Sequence, residues 1–271
     1  MIGADNQQAT RQSAGESSET ICRTPHLNGE LARFVALLFT DGCVSPKGKS
    51  WRIYFVNKSV NLIDLFRECA IASFAISYDR VHIRSIKNTN KMFAAVINSK
   101  EIGNYLVERF GTFRTLRFSN GSLPNTRLPV KSLIEERGVQ DFLRTAFSCD
   151  GGVSLYPASR NGKRWLIRTV FLSCAHPKLR SDYMLLLDSL GITARNVSGD
   201  NKIKIEDEIN ITRFREKVGF IEETMITDHS RYWRGYEKQN VLNLILASYS
   251  HPKTIFDLPQ FRRDDDIVQP A

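Results

Sequence analysis

No apolar run in the sequence approaches the roughly 18 residues that span a bilayer, so a membrane-embedded protein is not expected. Cysteine is sparse and odd in number, with Cys22, Cys43, Cys69, Cys149 and Cys174 far apart and no C-x-x-C pair. Histidines are few and unclustered, so neither a disulfide framework nor a zinc site is supported. The first residues lack a basic segment followed by an apolar one, so no secretion signal is expected. What is present is an ordinary globular composition, 42% apolar and 25% charged, in 271 residues, enough for one large domain or two small ones. Lysine and arginine exceed the acids to give a formal charge of +9, which favours a polyanionic partner, nucleic acid before an acidic membrane surface.

One phrase is written almost twice, "LFTDGCVS" at 38–45 and "FSCDGGVS" at 147–154. Around each copy the same order of elements is predicted. After a polar leader at 1–28, expected to be loosely ordered, a helix ends at Asp41-Gly42. The strands Cys43–Ser45 and "WRIYFVN" (51–57), a helix capped by Ser59, two strands around "NTN" and a helix stopped by Gly111 complete a first half over 29–111. A Gly- and Pro-bearing linker at 112–128 follows. A second half over 129–220 repeats the order, from the helix "VQDFLRTAFSCDG" to the helix "INITRFREKVG". Asp41 maps onto Asp150 and Val44 onto Val153 at an offset of 109, and Gly111 onto Gly219 at 108, the mark of an internal duplication. The remainder, 221–271, contains a basic aromatic stretch "HSRYWRGYEK", a capping helix and a polar tail.

The two Asp-Gly helices each carry a stripe of small residues, Ala36 with Thr40 and Thr145 with Cys149, that lets backbones approach. Packed parallel, they would bring Asp41 and Asp150 together, near the negative ends of two helix dipoles. Folding does not reward that arrangement, but a hard divalent cation offsets both penalties. Two carboxylates sharing metal beside a basic surface point to metal-assisted phosphodiester hydrolysis.

Several strands alternate long polar or basic residues with apolar ones, which places the former on one face. Arg80, His82 and Arg84 form one such set, Arg52 and Tyr54 a second, Arg164 with Arg168 a third, and Lys202 with Lys204 a fourth. Lys47, Lys49, Arg160 and Lys163 add charge near the strand tips, and together these residues are candidate DNA contacts.

Two Asp-Gly-terminated helices, each followed by β-β-helix-β-β-helix, resemble the single-chain, two-motif LAGLIDADG homing endonucleases over about 30–220. The resemblance implies an α+β fold of two pseudo-symmetric αββαββα halves, with motif helices at the interface and antiparallel sheets forming a DNA-binding saddle. It implies an intron-encoded monomer that cuts both strands of a long DNA target with Mg²⁺, for which Mn²⁺ can substitute. Asp41 and Asp150 match the metal-binding acids. Asn57, with Lys58 beside it, and Ser173 match the polar position at the end of the second strand of each half, and Lys100 matches the assisting basic residue. The counterpart of Lys100 in the second half is Glu208, a departure from the pattern. A non-catalytic binder on the same scaffold, an intron RNA maturase or a DNA-binding regulator, stands as the alternative. Localisation in the cytoplasm with the nucleoid, or in an organelle that carries the intron, follows from the same resemblance.

Overall fold

The structure, a computed structural model, describes residues 25–86, 92–227 and 230–261. The expected leader up to position 24, the turn at 88–90 and the tail beyond 261 lie outside the described residues. The end of the leader is docked, not loose: Leu27 is fully buried and its N–H donates to the Glu136 carboxylate.

The first half runs α1 (Gly29–Phe39), β1 (Gly42–Lys47), β2 (Ser50–Asn57), α2 (Val60–Phe74), β3 (His82–Ser85), β4 (Phe93–Asn98) and α3 (Lys100–Phe110). A short α4 (Val130–Glu135), too brief to show a period in the sequence, precedes the second half. That half runs α5 (Val139–Asp150), β5 (Gly151–Arg160), β6 (Lys163–Ser173), α6 (Pro177–Ser189), β7 (Arg195–Val197), β8 (Lys202–Ile205) and α7 (Glu208–Lys217). α8 (Lys238–Ser250) and α9 (Pro252–Phe256) close the described chain. Ser59 caps α2 by accepting from the Leu62 N–H, and Ser99 caps α3 in the same way from Ile102.

Each half forms one antiparallel four-stranded sheet, in the order β1-β2-β4-β3 and β5-β6-β8-β7. The fold is therefore α+β, with two αββαββα halves of matching strand order. The hairpins differ in reach. In the first, β1 has 6 residues, but in the second β5 has 10, about 13 Å more at the usual rise per residue. The longer one turns on Asn161-Gly162, both left-handed (φ 50° and 73°), the backbone that a tight two-residue hairpin demands.

α1 is buried almost all round, with Leu31, Phe34, Val35, Leu37, Leu38 and Phe39 each under 4% exposed, so its stability comes from packing and not from propensity. It lies against α5, and the two run in the same direction. Near their starts Arg33 Nη2 donates to Asp141 Oδ1 at 2.7 Å, and near their other ends the Thr40 hydroxyl bonds Cys149. Ala36 and Thr145 are both buried in these helices, with the Thr145 hydroxyl donating back to the Asp141 carbonyl at 2.8 Å.

The repeated Asp-Gly now has a physical reason. A Cβ on Gly42 would sit 2.5 Å from Leu38 Cα, and one on Gly151 would sit 2.5 Å from the Phe147 carbonyl oxygen. Each motif helix turns into its first strand so tightly that only glycine fits, and the aspartate before it is thereby fixed. Gly42→Ala or Gly151→Ala is expected to destabilise the fold by about 1–3 kcal/mol through this overpacking, measured as a lower denaturation midpoint.

Candidate metal centre and nucleic-acid interface

α1 and α5 deliver their acids to one place. Asp41 and Asp150 both line a cleft of about 810 Å³. Asp150 also lines a second cleft, of about 280 Å³, together with Ser173. Burial pushes both carboxyls above their ordinary range. For Asp150 the charge of Asp41 adds to burial and takes it to about 7. For Asp41 burial outweighs the hydrogen bond from Asn57 and the nearby charge of Lys238. Paired acids that are both held above their normal pKa by burial favour either a proton or a metal cation. Among the described residues, no group of three or more His, Cys, Asp and Glu gathers into a complete protein shell. Mg²⁺ fits this donor set, because it is commonly held by one or two carboxylates and keeps several waters.

Asn57 belongs to this centre. Its Nδ2 donates to Asp41 Oδ2 at 2.8 Å, while its Oδ1 accepts from the Ser59 N–H at 2.8 Å, and that second bond fixes which way the amide points. Lys58 lines the same cleft and is exposed. Ser173 ends β6 at the corresponding place in the second half, exposed on the smaller cleft.

Lys100 does not reach the site. It opens α3 at the far end of the first sheet, where the Ser99 N–H donates to the Trp51 carbonyl and Asn98 pairs with Arg52. Asn57 is five strand positions away, opposite Phe93, which is about 16 Å at the usual rise. The strand after which Lys100 comes runs away from the acids.

The buried cation of the main cleft is Lys238, at the start of α8, and exposed Lys58 and Arg234 also line it. It is 5% exposed, and its Nζ donates to the Ser148 carbonyl at 2.6 Å. Burial lowers it to about 8, against the opposing charges of Asp150 and Asp41. The sequence shows it only as the last letter of a basic aromatic stretch, and no spacing marks it as buried. Ser148 ties the same segment down again, its Oγ accepting from the Ile221 N–H at 2.8 Å.

The duplication continues past its expected limit at 220. Thr115 and Leu116 wall the smaller cleft, and Thr224 and Met225, each 109 residues on, wall the larger. In both halves the segment after the third helix crosses to the partner half and lines its cleft.

On the first sheet the alternation is as expected. Ile53 and Phe55 are buried, while Arg52 and Tyr54 share the opposite face with His82 and Arg84, through the pairs Tyr54↔Val96↔His82 and Val56↔Ala94↔Arg84. Lys47 reaches the same face, its Nζ donating to Asn98 Oδ1 at 3.3 Å, and Lys49 lies exposed in the hairpin turn. Arg80 does not join them, because it lies in a 3-10 turn at Tyr78–Arg80 before β3 begins.

On the second sheet the expectation for Arg164 and Arg168 is overturned. They do share a face, but it is the one that carries Leu166, Val170 and Leu172 towards the helices. Arg168 Nε donates to Ser248 Oγ at 2.7 Å and its guanidinium lies 4.5 Å from the centre of the Tyr249 ring. Arg164 lies 5.2 Å from the centre of the Phe256 ring. Alternation tells which residues share a face, but not which face is open: the C-terminal helices pack on this one and hold Arg168, while Arg164 beside Phe256 stays exposed. The open face carries Arg160 and Lys163 at the hairpin tip, exposed Trp165, and Lys202 beside Ser173. Lys202 sits 4.8 Å from the centre of the Phe171 ring, and Lys204 pairs with Asp200 at 3.1 Å.

Residues 138–219 match the LAGLIDADG-like domain family. No curated protein matches the chain in sequence. Among solved structures, mesophilic variants of the homing endonuclease I-DmoI share 14% identity over 69% of this chain and 93% of theirs, with a TM-score of 0.44. The I-SmaMI LAGLIDADG homing endonuclease bound to cleaved DNA shares 11% over 72% of this chain and 85% of its own, also at 0.44. The N-terminal LAGLIDADG domain of WhiA shares 14% over 72% and 82%, at 0.43.

The raised carboxyls give the metal-free protein a defined pH response. The folded value of Asp150, about 7, lies above the ordinary 3.8, so over that window the folded state holds more proton than the unfolded one. With divalent cations chelated, stability is expected to fall as pH rises from about 4 towards 7, and Asp150→Asn is expected to flatten the curve, measured by urea denaturation across that range.

Proposed function

We propose that this chain, whose residues 138–219 match the LAGLIDADG-like domain family, is a divalent-metal-dependent endonuclease that hydrolyses both strands of a long DNA site. The observation that carries the reading is the pair Asp41 and Asp150, brought from two helices into one cleft with their carboxyls held above the ordinary range. Bound there by the two carboxylates, Mg²⁺, or Mn²⁺ in its place, would activate water and stabilise the leaving oxygen. Asn57 orients the Asp41 carboxylate towards the cleft, and its own amide is locked by the Ser59 N–H. Lys58 and Ser173 offer a charge and a hydroxyl at the rims, where a phosphate and its water would lie.

The open sheet faces support binding. Arg52, Tyr54, His82 and Arg84 stand on one, Arg160, Lys163 and Lys202 on the other, in a chain of formal charge +9. Arg side chains on strands suit guanine edges in a major groove, and the lysines suit phosphates. The chain would act as a pseudo-symmetric monomer, since each half supplies one acid. Residence of its gene in an intron, and action beside the nucleoid or in an organelle, are parts of the same proposal.

A second reading, a non-cleaving DNA or intron RNA binder, is favoured by one observation: the cleft already holds a cation of the protein's own, Lys238. Cleavage of a library of intron-insertion sequences in Mg²⁺ separates the two. A single dominant double-strand cut is expected, lost by about a thousandfold or more in Asp41→Ala and in Asp150→Ala while DNA binding persists. Cutting retained in both variants would contradict the shared metal site, and binding without any cut would select the second reading.

A further inference from the structure

Lys238 comes from outside the two halves, and nothing in the duplicated pattern calls for it: the residue 109 positions earlier is Pro129. The structure nevertheless buries it to 5% exposure at the acid pair. Three things hold it there. Its backbone N–H donates to the Thr224 carbonyl at 2.9 Å, its Nζ donates to the Ser148 carbonyl at 2.6 Å, and its ammonium lies 5.9 Å from the centre of the Phe220 ring. One carbonyl satisfies only one of the three ammonium protons. A buried ammonium with so few partners is costly unless opposite charge stands close, and the charges that act on it are Asp41 and Asp150, with the Cys149 thiol beside them.

We propose that Lys238 is a built-in counter-ion of the acid pair: it holds Asp41 and Asp150 together before any metal arrives, and it weakens the cleft's affinity for divalent cation. The first consequence is structural. Two half-buried carboxylates at two helix C-termini repel each other, and a fixed ammonium in the same cleft offsets that repulsion without any metal. The second consequence, which rests on the reading of the pair as a cation site, is that an incoming divalent ion meets a positive charge already in place. The site would then load fully only when a polyanion adds negative charge beside it. Lys238 is on this account a positioning residue that acts through the two aspartates.

The test starts with a metal-free thermal-unfolding cycle near neutral pH on wild type, Lys238→Gln, Asp150→Asn and the double variant, in chelator. Glutamine keeps a donor for the Ser148 carbonyl but drops the charge. Lys238→Gln is expected to lower the midpoint by about 4 °C, and Asp150→Asn on that background to restore at least half of it, while Lys238→Arg matches wild type. Equal effects of Asp150→Asn in both backgrounds would overturn the proposal, because a lysine that only ties a helix end to Ser148 is indifferent to the charge at 150. If Lys238→Gln folds only when Asp150→Asn is present, the proposal holds; if it is unfolded in both backgrounds, it fails. This arm involves neither metal nor cleavage, so its outcome is independent of the nuclease reading. The second arm is a titration of the DNA-free protein with MnCl₂, with free Mn²⁺ followed by electron paramagnetic resonance. Lys238→Gln is expected to bind on the order of tenfold tighter than wild type, and unchanged or weaker binding would overturn the second consequence.

Discussion

Two half-buried carboxylates at the ends of two parallel helices form the constraint on which the rest of this structure depends. Each of them alone is disfavoured by burial and by the helix end on which it sits, and together they repel. The chain meets those costs with specific parts. Gly42 and Gly151 let each helix turn directly into a strand, which fixes the acid before it. The ion pair Arg33–Asp141 ties the same two helices near their other ends. Asn57 supplies a donor to Asp41, and Lys238 supplies a charge. An arrangement that needs so many supports is unfavourable for folding alone, and the proposed cation would offset its cost.

Around this shared centre the halves have diverged. The second hairpin is longer, and the helix-facing side of its sheet is spent on holding the C-terminal helices through Arg164 and Arg168. Its edge is covered as well: Trp233, 2% exposed, donates from Nε1 to the Leu155 carbonyl of edge strand β5. Such cover removes a free strand edge that would otherwise pair with other chains. Among the described residues no side chain is seen to cover the first sheet in this way, and Arg52, Tyr54, His82 and Arg84 stand on its open face. A pseudo-symmetric molecule therefore carries two different surfaces, a basic one and one that mixes basic residues with Trp165.

Much of this was legible from the sequence, because duplication doubles every signal. A helix end or a strand that is ambiguous once becomes clear when it recurs about 109 residues later, and the two acids, both sheets and the helix stop at Gly111 follow from that, while the cap at Ser59 is a local signal. What was not legible is whatever lacks a local period. Lys238 is an ordinary letter in a basic stretch until α8 folds back and buries it. The arginines at 164 and 168 satisfy alternation on either face, and only the packing of α8 and α9 decides which. Lys100 was placed by analogy of element order, but the strand before it runs away from the acids. The crossing segment at 224–225 was missed because its resemblance to 115–116 lies in position more than in letters.

The central claim is that Asp41 and Asp150 together hold a divalent cation. Crystals grown with Mn²⁺ and measured at wavelengths on either side of the manganese absorption edge test it directly. The account predicts anomalous density between the two carboxylates, with the Lys238 ammonium displaced to the rim of the cleft or retained beside the Ser148 carbonyl. Manganese found only at surface acids, with the two carboxylates turned away from each other in the presence of the ion, would contradict it.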